Sequence, residues 1–168
     1  VTNEFKALMR LVGAAAQGKA VSDLPNDLDW LKMECLANEQ AVQTLLGYAL
    51  RLSPKLLCPE EQHQRLVGQM RQLAFSNNAW KNSILKLIGK MNETGIPALL
   101  IKGYAVADCY AAPDCRMSGD TDLLICPKDE KCACTFMKAN GFEVERRWKN
   151  GHHDVCNHPQ LGCVELHV

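Results

Sequence analysis

A chain of 168 residues is long enough for one or two compact units, and a domain of this size buries about two-thirds of the surface its unfolded chain exposes. Nineteen basic residues against nineteen acidic ones exclude a global field that would draw the protein to nucleic acid or to an anionic membrane, so any polyanion must meet a local patch. No apolar run approaches the roughly 20 residues of a bilayer span, and the N-terminus lacks the basic, apolar, small-residue order of a signal peptide, so the chain reads as cytoplasmic.

Nine cysteines are many for this length, but the count is odd, and Cys35 in MECLA and Cys126 in LLICP lie in core-like sequence. Free thiols in a reducing compartment are the simpler account. The chain starts at Val1 and stops at Val168 inside an apolar, strand-like stretch, which reads as a fragment of a longer polypeptide, truncated at its C-terminus.

Residues 1–95 read as a helical region. Phe5, Leu8, Met9, Leu11 and Val12 form a helix-like apolar stripe, ended by Gly18 and the SDLPND turn. A second helix is expected from Leu28 to Leu52, capped by Asn26 or Asp27, with Leu31, Leu36, Val42, Leu45, Leu46 and Ala49 inward, and stopped by Ser53-Pro54. A third starts at Pro59-Glu60-Glu61, carries Leu66, Met70, Leu73, Trp80, Ile84, Leu87, Ile88 and Met91 on one stripe, and ends at Gly95. None of the three helices holds a catalytic constellation, and packing accounts for their residues.

From Ile96 the texture changes, and residues 96–168 read as a mixed sheet with flanking helices, making the whole chain α+β. IPALLIKG is a short apolar run bounded by proline and glycine, as a buried strand would be. A short helix YAVADCY, a polar loop PDCRMSG, a strand DTDLLIC, a helix closed by Gly141, a strand FEVERRW, a loop rich in His and Asn, and a last strand GCVELHV follow.

Asp120 and Asp122 are two residues apart, so on a strand both carboxylates project to one face, with Leu123, Leu124 and Ile125 fixing the strand in the core. Like charges held that close call for a cation, and Mg²⁺ (or Mn²⁺) is the oxygen-seeking ion that answers. An isolated Asp-x-Asp is more often a turn cap beside a solvated carboxylate. Glu165 changes the balance: it stands in a strand with Val164 and Leu166 facing the other way, where a carboxylate needs a partner. If that strand lies beside the Asp strand, three carboxylates converge and can hold two metal ions. The alternative for Glu165 is an edge-strand side chain facing water.

The succession GIPALLIKGYAVADCY, PDCRMSGDTDLLI and VELHV resembles the bacterial uncharacterised nucleotidyltransferase family of the DNA polymerase beta superfamily, over about Ile96–Val168, with the preceding long helix as a candidate extension. The resemblance implies a minimal nucleotidyltransferase fold in which Asp120, Asp122 and Glu165 bind metal and act in catalysis. It implies transfer of a nucleoside monophosphate from an NTP to an acceptor hydroxyl with release of pyrophosphate, the acceptor being a small molecule, a protein or RNA. Many members of the wider superfamily carry Gly-Ser at the start of the first helix, where this chain has Lys102-Gly103-Tyr104. Amides at that helix start and the Lys102 charge remain candidates for the phosphates, and the departure leaves open a non-catalytic nucleotide-binding module or an interaction scaffold on the same fold. Arg116 and Ser118, just before Asp120, are suited to phosphate oxygens, although Arg116 can instead pair with Asp120 or Asp114. His152 or His153 is a candidate phosphate contact or proton shuttle, and His167 a support for Glu165. The His and Cys spacing fits no zinc-finger pattern.

Overall fold

A computed structural model describes residues 2–146 and 153–168, and the chain divides into two units, residues 1–78 with 107–117 and residues 79–106 with 118–168. His152 and the end of the expected FEVERRW strand lie outside the described residues.

The first unit is helical. Helix α1 (Asn3–Ala16) starts where the Thr2 hydroxyl accepts from the Phe5 amide, and it buries Ala7, Leu8, Leu11 and Ala15, while Met9 of the expected stripe is exposed. The single helix expected over 28–52 is two, α2 (Trp30–Glu39) and α3 (Gln43–Leu52). Between them Ala41 takes a left-handed φ of 51°, its amide bonding to Asn38 O and the Val42 amide to Ala37 O, the double bond pattern that closes a helix. Glycine normally marks such a break, and alanine gave no sign of it. Asp29, rather than Asn26 or Asp27, caps α2, and Leu31 faces solvent. Leu8, Leu11, Met33, Leu46, Leu50 and Leu66 centre the apolar core of this unit. Within it the Thr44 hydroxyl donates to Cys115 O (2.5 Å) and the Asn77 amide donates to Asp114 O and Arg116 O (3.0 and 2.7 Å), tying the 113–116 segment down. Cys35 is exposed, contrary to its core-like context, because its neighbours Met33 and Ala37 take the inward positions.

The long helix α4 (Glu60–Glu93) ends with Gly95 at φ +80°, as its sequence indicated. The second unit is built on a five-stranded sheet in the order β1 (Ala98–Ile101), β2 (Thr121–Ile125), β5 (Gly162–His167), β4 (His153–His158), β3 (Glu143–Glu145). The β2–β5 pair is parallel and the rest antiparallel, so the sheet is mixed and the α+β expectation holds. Strand β4 occupies the stretch expected to be a loop. Its inward positions are Asp154 and Cys156 instead of aliphatic residues, which hid the period of two.

One face of the sheet carries Leu123, Ile125, Val164, Leu166 and Cys156, all buried with Ile84, Leu87 and Met91 of α4 and Ala133, Cys134 and Met137 of helix α6 (Glu130–Ala139). Each large aliphatic chain buried there contributes roughly 1.5–3 kcal/mol relative to exposure. Alternation sends Asp122, Leu124, Glu165, His167 and His153 to the opposite face. Leu124 is therefore 40% exposed instead of sharing the core with its neighbours, and Cys126, after the strand, is exposed too.

Candidate functional site

The face opposite the core gathers the polar side chains of the sheet unit. Parallel pairing sets Asp122 of β2 directly beside Glu165 of β5, and antiparallel pairing sets His153 of β4 beside His167 of β5. Asp120 lies two residues before Asp122, exposed, in the bend that leads into β2. Its backbone carbonyl accepts from the Ser118 hydroxyl (3.0 Å). Ser118 in turn packs on the start of helix α5 (Gly103–Ala107): a Cβ at Gly103 would come within 2.5 Å of Ser118 Oγ, so glycine there allows the 118–120 bend to close against the helix.

Asp122 is buried, yet it carries two partners. Lys102 Nζ donates to its Oδ1 at 2.7 Å, and His167 Nε2 lies 2.8 Å from the same oxygen. Burial pushes the Asp122 carboxyl up, but the bonds from Lys102 and His167 outweigh it and hold the group below the usual carboxylate range. The same bond raises the Lys102 ammonium, with help from Glu165 and Asp120. That last influence places the Asp120 charge within electrostatic reach of Lys102. The Lys102 side chain is 60% exposed against 4% for Asp122, so a solvent-reachable cation covers a sequestered carboxylate. Lys102 also has φ +49°, a left-handed conformation that costs a non-glycine residue free energy and that the turn from β1 into α5 imposes. Glu165 completes the group, with His153 Nε2 at 3.5 Å from Oε1 and His167 Nε2 at 3.3 Å from Oε2.

The structure thus brings together Asp122, Glu165, Lys102 and His153, with Asp120, Ser118 and Gly103 in the adjoining bend and helix start. Arg116 belongs to the helical unit, where its Nη1 donates to Met117 O at 3.3 Å. Helix α5 is only five residues long, so its dipole is a weak attraction for phosphate. The direct Lys102–Asp122 bond escaped sequence reasoning because it depends on the left-handed turn. His167 bonds Asp122 as well as lying beside Glu165, and the Glu-Leu-His spacing was the signal for it.

The Asp122 and Glu165 carboxylates are hard oxygen donors on adjacent strands, and such donors suit a divalent cation. A family model described as Uncharacterised nucleotidyltransferase matches residues 26–168, most of the chain. The chain belongs to that nucleotidyltransferase family. No curated protein and no solved structure matches it significantly. The nucleotidyltransferase match takes in both the sheet unit and most of the helical unit, more than the region from Ile96 onward in which the motifs lie. Among the described residues no helix is long and apolar enough to cross a membrane.

Proposed function

We propose that this chain transfers a nucleoside monophosphate from an NTP to an acceptor hydroxyl in a metal-dependent reaction, with Asp120, Asp122 and Glu165 as the acidic centre. The observation that carries the reading is the β2–β5 register, which sets Asp122 beside Glu165 in a chain of a nucleotidyltransferase family. The three carboxylates would hold two Mg²⁺ or Mn²⁺ ions, which when bound lower the pKa of the acceptor hydroxyl and offset charge on the triphosphate and leaving group.

The residues divide the remaining work. Glu165, with two oxygens on the open face, accepts the acceptor's proton as the acceptor oxygen bonds to the α-phosphorus. The bond from that phosphorus to the bridging oxygen breaks, and pyrophosphate leaves with the electron pair. Lys102 neutralises Asp122 before substrate arrives and, being mostly exposed, can turn its ammonium to a phosphate oxygen once other charge meets the carboxylate. The Ser118 hydroxyl can exchange the Asp120 carbonyl for a phosphate oxygen. His153 is the candidate contact or proton carrier on the β4 side. The balanced charge supplies no field for a long nucleic acid, so the acceptor classes to assay are small molecules, protein side chains and RNA.

Pyrophosphate release from each NTP, with Mg²⁺ or Mn²⁺ and a panel of hydroxyl acceptors, tests the proposal. Release is expected in the wild type and is expected to be lost in Asp122→Asn without unfolding. Retained turnover in that variant would count against it. A second reading, a nucleotide-binding module without catalysis, draws on Lys102-Gly103-Tyr104 and on the ammonium already bonded to Asp122. Tight binding of metal–nucleotide without turnover across the panel would favour it.

A further inference from the structure

The two imidazoles beside Glu165 are unlike the rest of the acidic centre. His153 and His167 are direct cross-strand partners, their ring centroids 5.1 Å apart. Both point Nε2 at Glu165, at 3.5 and 3.3 Å from its two oxygens. One ligand atom from each of the three residues falls within 4.8 Å of the others, and all three side chains are half-buried. Ligand atoms bound tetrahedrally at about 2.0–2.1 Å stand about 3.4 Å apart, and each imidazole already lies at about that distance from one Glu165 oxygen, His153 from Oε1 and His167 from Oε2.

Charge points the same way. Lys102 is bonded to Asp122, and among the described residues the two imidazoles are the groups that approach the Glu165 carboxylate as ion-pair partners. Strand geometry fixes this grouping: Glu165 and His167 are two apart on β5, so they share a face, and β4 delivers His153 to the same face. Imidazole nitrogen is a poor ligand for Mg²⁺, which takes oxygen and gives up water reluctantly, and a good one for Zn²⁺ and its first-row neighbours.

We infer that His153, Glu165 and His167 form a binding site for a first-row transition-metal ion of the Zn²⁺ and Co²⁺ class, two nitrogens and one carboxylate from the protein leaving the remaining positions open. The ion takes the place of the contact that His167 Nε2 makes with Asp122 Oδ1 in the metal-free arrangement. The site shares Glu165 with the proposed acidic centre but does not require nucleotidyl transfer. It makes the centre chemically divided, oxygen donors on the β2 side and nitrogen donors on the β4 side.

Titrating the reduced chain with Co²⁺ alone, followed by visible absorption and calorimetry, tests the site without nucleotide or turnover. One equivalent should bind, with an intensified visible spectrum as nitrogen ligands replace water. Zn²⁺ should displace it, and a large excess of Mg²⁺ should not. His153→Asn and His167→Asn should each weaken binding on the order of 100-fold, at unchanged far-ultraviolet circular dichroism. The solvent-accessible His153 makes the first of these the safer variant for folding. Serine variants of the exposed Cys35, Cys109, Cys126 and Cys132 should bind as the wild type does. The inference is overturned if no Co²⁺ binds, if Mg²⁺ displaces it equally, or if binding survives both histidine variants. Loss of this site would leave Asp120 and Asp122 to the transfer reaction, whereas absence of pyrophosphate release would leave the Co²⁺ result standing.

Discussion

The sheet unit buries two aspartates, one on each face, and their surroundings are opposites. Asp154 of β4 lies on the core face, where Cys134 Sγ donates to its Oδ2 at 3.3 Å and Arg146 Nη1 approaches the same oxygen at 3.4 Å. Arg146 also bonds Glu130 and Cys134, so α6 and β4 are fastened together. The Cys134 thiol is pushed up by burial and then by Asp154, which keeps it protonated as a donor. Asp122 lies on the other face with a mostly exposed lysine, a histidine and a second carboxylate for neighbours. Burial alone therefore does not mark a functional carboxylate. What separates the two is the compensating charge: Arg146 is tied to Glu130 and Cys134 of α6 as well as to Asp154, whereas Lys102 over Asp122 is mostly exposed, as the proposed exchange with a ligand requires.

The largest expected effect lies on the Asp122 side. If Asp122 holds metal as proposed, Asp122→Asn should lower nucleotidyl transfer about 10³-fold, several kcal/mol of transition-state charge stabilisation, while the melting temperature changes little. Steady-state pyrophosphate release beside thermal denaturation separates the two readouts. Asp154→Asn should reverse the pattern. The variant loses a charge-assisted contact to Arg146 and the acceptor of the Cys134 thiol, and with Arg146 half-exposed and still bonded to Glu130 the loss should be about 2 kcal/mol in urea denaturation, at unchanged turnover per folded molecule. If Asp154→Asn also abolished turnover without unfolding, the division between the faces would fail.

The smallest effect concerns pH. Asp122 has a lowered folded-state pKa, so its bond to Lys102 contributes stability above the ordinary carboxylate range and loses it as pH falls through the lowered value. Lys102 has a raised pKa, so its share is present below the ordinary lysine range and is lost as pH rises through the raised value. Denaturation of wild type and Lys102→Met across pH should show a gap at neutrality that closes at both extremes. A gap independent of pH would mean that Lys102 acts through its aliphatic stem.

Much of this centre was legible because strand periodicity is a strong constraint. Asp122 and Glu165 could each be assigned a face from their aliphatic neighbours, and the structure adds the register that makes them adjacent. Strand β4 was not legible, since Asp154 and Cys156 fill the positions where valine or isoleucine would announce a strand, and their burial depends on partners from α6 and Arg146. The break at Ala41 and the turn at Lys102 share one cause: both place a non-glycine residue at positive φ, which local sequence does not signal. The pairing of Lys102 with Asp122 and the meeting of His153 with His167 needed the three-dimensional register as well.

The most direct measurement is calorimetry of Mg²⁺ with a non-hydrolysable NTP on three proteins, wild type, Asp122→Asn and Asp154→Asn. The exchangeable-charge account predicts one nucleotide site in the wild type, weakened at least about tenfold, or 1.4 kcal/mol, in Asp122→Asn and unchanged in folded Asp154→Asn. Equal affinity in wild type and Asp122→Asn would contradict it.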